Sequence, residues 1–346
     1  MGDAHHDGFQ CRVTTYAGFE RDVLSLRNTN REVAQSTDYL AWRYADRGCA
    51  DAPQIYWLDS ARGAPVGMAS LVPRKYWVDG HASSVGVLGD ISLDATQRGK
   101  GLGKLLLEFM TRQIGRDAKL PWCLVIPTPA ARHALRSAGW VEGGSLVRRA
   151  LLLDPREIVA RKLRSDVLSR SLARGYQAML RGFLRLGVDG RSELAIGETF
   201  GSEFDEFWRA FPKRGLGIAD HSAATLEWRY AAHPQKRFRV AASRGAAGMR
   251  GYLIFECSAG VCSIYDVLAQ SPAALKGMLA PFILRMMSDR HTSISVTLSD
   301  AHPYQTTFAR LGFVVREQSV FQVHGSPVHA ETRAPVWMLT QGDKDV

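Results

Sequence analysis

Short runs rich in β-branched and aromatic residues, several alternating with polar ones, predict strands over 11–16, 55–59, 66–78 and 84–93. Apolar residues at three-to-four spacing predict helices over 19–27, 36–45, 103–114 and 130–138, with a strand at 122–126 and closing strands through Leu153. The later part repeats the plan. Strands are predicted at 238–242, 251–257 and 261–268, then a helix at 272–289, a strand at 293–298, a helix at 303–311 and a strand at 314–323. In each half an antiparallel meander comes first and a strand–helix–strand unit follows, the order of an α/β (α+β) domain with a mixed sheet.

The two halves also share residues in order. Leu40-Ala-Trp42-Arg43-Tyr44 returns as Leu226-Glu-Trp228-Arg229-Tyr230 after 186 positions. Gly67 and Gly251 then fall in strands, Asp90 and Asp266 in the next strands, and Gly139-Trp140 and Gly312-Phe313 after short helices. This ordered set predicts two tandem domains, at 1–154 and 191–325, joined by a basic helix at 155–190 and followed by a tail at 326–346.

The joining segment carries Arg156, Arg161, Lys162, Arg164, Arg170, Arg174, Arg181 and Arg185 against Glu157 and Asp166. Its apolar residues Leu163, Val167, Leu172, Tyr176, Met179, Leu180, Phe183 and Leu184 recur at helical spacing. The expectation is a connecting helix with one packed face. Peripheral contact with an anionic membrane surface is the alternative, and nucleic acid is not an expected partner. In the tail, Trp337-Met-Leu-Thr is expected to dock as a short strand or anchor.

Composition narrows the picture. The 346 residues are 46% hydrophobic and 23% charged, as in folded water-soluble chains, and the net charge of +10 favours anionic ligands. Five scattered cysteines make no disulfide framework, and with no signal pattern and no apolar run of about 18 residues the expectation is a cytoplasmic protein. Cys257 and Cys262 flank a predicted hairpin turn and are read as ordinary thiols, since no second Cys or His pair gives zinc spacing.

The segment richest in chemistry is Gly89-Asp90-Ile91-Ser92-Leu93-Asp94-Ala95-Thr96-Gln97-Arg98-Gly99-Lys100-Gly101-Leu102-Gly103-Lys104, a strand running into a glycine-rich basic turn that opens a helix. Glycines at 99, 101 and 103 permit positive φ and close backbone approach, so successive amides can converge on phosphate oxygens, helped by the helix dipole, Arg98, Lys100 and Lys104. It is not a Walker loop, because no Lys-Ser/Thr follows the last Gly. The dinucleotide fingerprint fails too, since Gly103 follows Gly101 by two residues.

Arg98-x-x-Gly101-x-Gly103, with the preceding meander and the closing Ala138-Gly139-Trp140, resembles the acyl-CoA loop and surroundings of the GNAT superfamily of acyltransferases, over about 10–153. The resemblance implies acetyl-CoA as cofactor, held by Ile91, Ser92 and Leu93 on the splayed strand and by Arg98, Gly99, Lys100, Gly101, Leu102, Gly103 and Lys104. A backbone N–H near Ile91 would stabilise the oxyanion. The acceptor it implies is an amine on a small molecule, such as an amino sugar, attacking directly; a protein amine is an alternative, as is an inactive acyl-CoA-binding or scaffolding protein.

The chain departs from the family where a Tyr commonly serves as thiolate acid, four residues before the closing Gly; here that residue is Leu135. Asp90 and Ser92 are the catalytic candidates, Asp90 as base through water and Ser92 as proton donor. Asp266 at the matching place of a half without the loop leaves a structural role for Asp90 open. His133 is a further candidate, and Trp42, Arg43 and Tyr44 stand where an acceptor would bind or, since Trp228-Arg229-Tyr230 repeats them, serve packing in both domains. Oligomeric state is not encoded.

Overall fold

The computed structural model describes residues 5–6, 8–29, 31, 34–44, 52–116, 120–163, 166–185, 193–325 and 335–345. Cys49, the last part of the predicted joining helix (186–190) and the start of the predicted tail (326–334) lie outside them. In chain order the elements begin β1 His5–His6, β2 Phe9–Thr15, α1 Glu20–Asn28, α2 Thr37–Tyr44, β3 Gln54–Asp59, β4 Pro65–Val78, β5 His81–Leu93, α3 Leu102–Arg116, β6 Trp122–Val125, α4 Pro129–Ser137 and β7 Val141–Leu152. There follow α5 Arg156–Leu163, α6 Asp166–Arg185, β8 Glu193–Gly197, α7 Ser202–Ala210, β9 Leu216–Ala219 and α8 Ala223–Leu226, whose helix continues as a π turn over Glu227–Ala231. The remainder is β10 Arg239–Gly245, β11 Gly248–Ser258, β12 Val261–Ala269, α9 Pro272–Ser288, β13 Ser293–Ser299, α10 Gln305–Arg310, β14 Val314–Gly325, β15 Val336–Trp337 and α11 Gly342–Asp345.

These strands form one continuous sheet in the order β1-β2-β3-β4-β5-β6-β14-β7-β13-β12-β11-β10-β8. In the first half β2 to β5 are antiparallel neighbours, and β6 joins β5 in parallel through the α3 crossover. The second half repeats this with β8, β10, β11 and β12, then β13 parallel to β12 through α9. The fold is thus a tandem α/β arrangement with a mixed sheet. The closing strands are exchanged: β14 lies between β6 and β7, while β7 pairs with β13. The short β9 adds to the edge of β4 through Tyr76↔Ala219 and pairs in turn with β15, so Trp337 docks as a short strand.

Each crossover helix buries an apolar face as its spacing requires. Leu102, Leu106, Leu107, Phe109, Met110 and Ile114 of α3 pack on the first half's strands together with Leu135 and Trp140. Leu275, Met278, Leu279, Phe282, Ile283 and Met286 of α9 do so on the second. Gly143 and Gly144 admit the Phe321 ring of the exchanged strand, since a Cβ on either would stand 2.5 and 3.0 Å from it. No helix among the described residues is long and apolar enough to cross a membrane.

The sequence pattern missed β8, α7, β9 and α8, all of which precede the first strand expected in the second half. The joining segment is helical over Arg156–Leu163 and Asp166–Arg185. In α6 the buried face is Ala173, Leu180 and Leu184, tied down by Tyr176 Oη donating to Leu152 O at 2.7 Å. Leu172, Met179 and Phe183 are exposed, because a helix on a surface buries only one arc. At 3.6 residues per turn those exposed apolar positions share one flank, while Arg170, Arg174 and Arg181 line a groove with Arg290 and His291 on the other.

Candidate active site

Between Met68↔Ser92 and Ser70↔Gly89, β5 carries one more residue than β4, a β-bulge that places Asp90 at φ +52°. The bend takes β5 away from β6, whose parallel pairing ends at Leu88↔Val125. Beyond that point the strands separate around a cavity of about 380 Å³. Its walls are Gly89, Asp90, Ile91 and Ser92 from β5, Ile126, Pro127, Thr128 and Ala131 from the approach to α4, Arg27 and Arg31 at the end of α1, and Phe321, Leu339, Asp343 and Lys344 from the C-terminal elements.

The Asp90 side chain has no solvent exposure. Its Oδ1 pairs with Arg27 Nη2 at 2.9 Å and Arg31 Nη2 at 3.6 Å, and its Oδ2 accepts from Arg43 Nε at 2.9 Å, Tyr44 Oη at 2.5 Å and Ser70 Oγ at 3.3 Å. Burial by itself would raise this carboxyl, but Arg43, Arg27, the Tyr44 hydrogen bond and Arg31 outweigh it and hold the pKa at about 2. A group so acidic and so enclosed is a poor proton acceptor at neutral pH. The base role expected of Asp90 does not suit this geometry; it anchors α1, α2 and the bulge. The same network takes up Tyr44, whose phenol is driven upward by burial and the Asp90 charge.

Trp42 points the other way, stacking on Trp228 with ring centroids 5.4 Å apart. Neither Trp42 nor Tyr44 lines the cavity. The reason is the duplication itself, which uses the repeated Trp-Arg-Tyr helix to join the halves. His133 is exposed on α4 away from the cavity, and Leu135 is fully buried under α3.

The glycine-rich turn follows β5 directly. Asp94 caps its entry, accepting from Thr96 N at 2.8 Å and Thr96 Oγ1 at 2.6 Å. Gly99 and Gly101 both adopt positive φ, +78° and +77°, with open space where a Cβ would lie. Gly103, expected to share that freedom, is instead inside the first turn of α3, where a Cβ would meet Leu93 Cδ1 at 3.2 Å. That contact seats the helix start against β5. Arg98, Gly99, Lys100, Gly101 and Lys104 are exposed while Leu102 is buried, so the turn presents amides and cations outward and is fastened from within. An anionic pyrophosphate suits such a surface.

Sequence reasoning brought together Asp90, Ile91, Ser92 and the turn; it missed Arg27, Arg31, Thr128, Phe321, Leu339, Asp343 and Lys344. The only signal for the last three was the apolar Trp337-Met-Leu run in an otherwise aperiodic tail. In α11, Asp343 accepts from Tyr76 Oη at 2.9 Å, Thr340 N at 2.9 Å and Thr340 Oγ1 at 3.2 Å.

The second half also has a register shift and a buried aspartate, but there Asp266 stays paired with Ile254 and the extra residue is Tyr265. Asp266 is paired with His221 Nε2 at 3.2 Å and accepts from Tyr230 Oη at 2.8 Å. Tyr304 Oη fills the place beside the strand end, accepting from Ala269 N at 2.8 Å and donating to Ala269 O at 2.6 Å. Gly251 pairs with Ala269 as Gly67 does with Leu93, so Tyr304 bonds the backbone of the residue that matches Leu93. At the head of α9 the Ser271 hydroxyl already caps Ala274 N.

Residues 21–140 match the model of the acetyltransferase (GNAT) family. Among solved structures, a probable N-acyltransferase of unknown function from Enterococcus faecalis V583 is similar at 11% identity and TM-score 0.63, over 93% of this chain and 73% of that one. A GCN5-related N-acetyltransferase from Anabaena variabilis is similar at 12% identity and TM-score 0.63, over 92% and 73%. A tandem GNAT protein from the clavulanic acid biosynthesis pathway is similar at 13% and 0.53, over 92% and 98%. At such identities these likenesses establish the fold. No curated protein matches the chain by sequence.

Proposed function

We infer, from the match of residues 21–140 to the GNAT acetyltransferase family and the tandem fold shared with a GNAT protein, an enzyme that moves an acetyl group from acetyl-CoA to the amine of a small molecule. The observation that carries this reading is the cavity opened by the bulge at Asp90, immediately before the positive-φ turn at Gly99 and Gly101. When bound, acetyl-CoA supplies the acyl group already activated as a thioester. The amides of the turn and of the first residues of α3, with Arg98, Lys100 and Lys104, are the groups suited to its pyrophosphate. Along β5, the edge from Ile91 to Leu93 is the rail for the rest of the cofactor, and the Ile91 N–H is the donor assigned to the carbonyl oxygen.

Proton movement falls to other groups than a buried carboxylate. Arg27, Arg31 and Lys344 bring positive charge to the cavity, which disfavours an ammonium there and raises the fraction of acceptor present as the nucleophilic free amine. Ser92 Oγ and Thr128 Oγ1 are the hydroxyls on the cavity wall available to give a proton to the departing sulfur. Leu339, Asp343 and Lys344 close one side of the cavity, which favours a small acceptor over a protein surface. The space must serve both the acyl end and the acceptor, which favours a short acyl group.

One feature supports a second reading, an acyl-CoA-binding protein without turnover: Leu135, fully buried, stands where the family commonly has its acid. Calorimetric titration with acetyl-CoA and a thiol-release assay over a panel of small amines test both. One-to-one binding with thiol release supports the enzyme; binding without release for any amine supports the second reading; no binding overturns both.

A further inference from the structure

We propose that the acceptor is a small amine bearing a carboxylate, an amino acid or a close derivative, whose carboxylate is bound by Arg27 and Arg31. This rests on the acyl-transfer reading and names the substrate class of that site.

Arg27 is almost fully buried at 1% exposure, and it lines the cavity. One face of its guanidinium covers the Tyr39 ring at 5.1 Å and Nη2 pairs with Asp90, yet Nε and Nη1 have no hydrogen-bond partner among the described residues. A buried guanidinium with idle N–H groups carries a desolvation cost that an incoming anion offsets. Arg31, at the mouth, reaches Asp90 only at 3.6 Å and keeps a side chain that is 36% exposed.

Both carboxylates of the cavity are already committed. Asp90 is surrounded by three guanidiniums, and Asp343 is held by Tyr76, Thr340 and Arg229, the last at 3.5 Å. With Lys344, the cavity therefore has cations to spare and no free carboxylate to receive an ammonium. A polyamine or a neutral amino sugar leaves Arg27 unmatched; an amino carboxylate matches it. Asp90 remains ionised beside this place, which favours a monoanion over a dianionic phosphate. Asp90, which pairs with both arginines, directly precedes Ile91, so the place for the anion adjoins the residue whose N–H is assigned to the carbonyl oxygen.

The test compares matched acceptors on the full chain by thiol release from acetyl-CoA: α- and β-amino acids, their carboxamides, the same amines without the carboxylate, and phosphoethanolamine. The expected result is a kcat/KM for the free carboxylate at least roughly tenfold above its carboxamide, as a charge-assisted contact gives. In Arg31→Gln, at the mouth and least disruptive to the core, that ratio falls toward one. Equal rates within the pairs, a preference for phosphoethanolamine, or a ratio unchanged in Arg31→Gln overturns the proposal. If acetyl-CoA binds and no amine turns over, the acyl-transfer reading fails. Calorimetry of the amino acids against their carboxamides then decides the carboxylate site alone: selective binding that Arg31→Gln removes upholds it, and no selectivity overturns it.

Discussion

Trp42 and Trp228 meet at the join of the two halves, and each indole N–H donates to the backbone carbonyl of the other, Trp42 Nε1 to Trp228 O at 2.9 Å and Trp228 Nε1 to Trp42 O at 3.4 Å. The repeated Leu-x-Trp-Arg-Tyr is thus a self-complementary contact within one chain. Each Trp is followed by the Arg and Tyr that serve its half's buried aspartate: Arg43 and Tyr44 at Asp90, Arg229 nearby and Tyr230 on Asp266. Trp42→Ala removes the stack, one hydrogen bond and the packing against His233, and is expected to cost about 3–5 kcal/mol of stability. Urea unfolding measures it; a loss below about 1 kcal/mol means that the halves are held elsewhere.

Gly101→Val is expected to weaken acetyl-CoA binding at least roughly tenfold through conformation rather than collision. Its φ is +77° and a Cβ there meets nothing within 4 Å, so the penalty is the left-handed backbone, about 1–2 kcal/mol, together with the displaced amides. Gly277→Ala in α9, where a Cβ is equally unobstructed, is expected to leave that affinity intact. Calorimetry on both variants checks this, and a loss in Gly277→Ala would place the cofactor in the second half.

Asp90 links stability to acid. Its folded pKa of about 2 lies below the unfolded value of about 3.9, so its contribution is fully present above about pH 4 and is lost as pH falls toward 2. The size is about 2 kcal/mol. Asp90→Asn deletes this acid dependence and leaves Arg27 and Arg43 without their countercharge, with an expected cost of about 3–5 kcal/mol at pH 7. Urea unfolding of both proteins at pH 7 and pH 3 separates the two effects. An Asp90→Asn chain that is as stable as the parent but slower would restore the base role.

The facing thiols are unequal. Cys257 and Cys262 pair across β11 and β12 without a disulfide. The hydrogen bond from Cys262 lowers the Cys257 thiol, aided by Arg239 at 3.6 Å, whereas the Cys262 thiol is pushed upward. Iodoacetamide at pH 7.5 is expected to label Cys257 before Cys262, Cys11 or Cys123, read by peptide mass. Labelling of Cys11 first would contradict this, since burial raises that thiol to about 11.

The first half was legible because its strands alternate cleanly and its turn has a spacing that few other sites use. The ordered repeat foretold the second half but not its beginning, where β8 and β9 are five and four residues long and too short for periodicity to show. Asp90 was legible as important, with a chemical and a structural role both open, since only the folded chain shows that Arg27, Arg31 and Arg43, sixteen residues apart at most, converge on it. The cavity's far wall was hidden for a different reason: Phe321 and Asp343 lie more than two hundred residues from Ile91, and nothing local marks which strands will be exchanged.

That exchange sets a timetable for the protein's birth. As the chain leaves the ribosome, β6 emerges complete but with its neighbour, β14, still some two hundred residues from being made. The half that carries the glycine turn therefore waits with an unclosed edge until β14 has been made. A chain broken anywhere before β14 has an unfinished sheet beside β6. Closure of that half, on this architecture, is conferred only by residues 314–325.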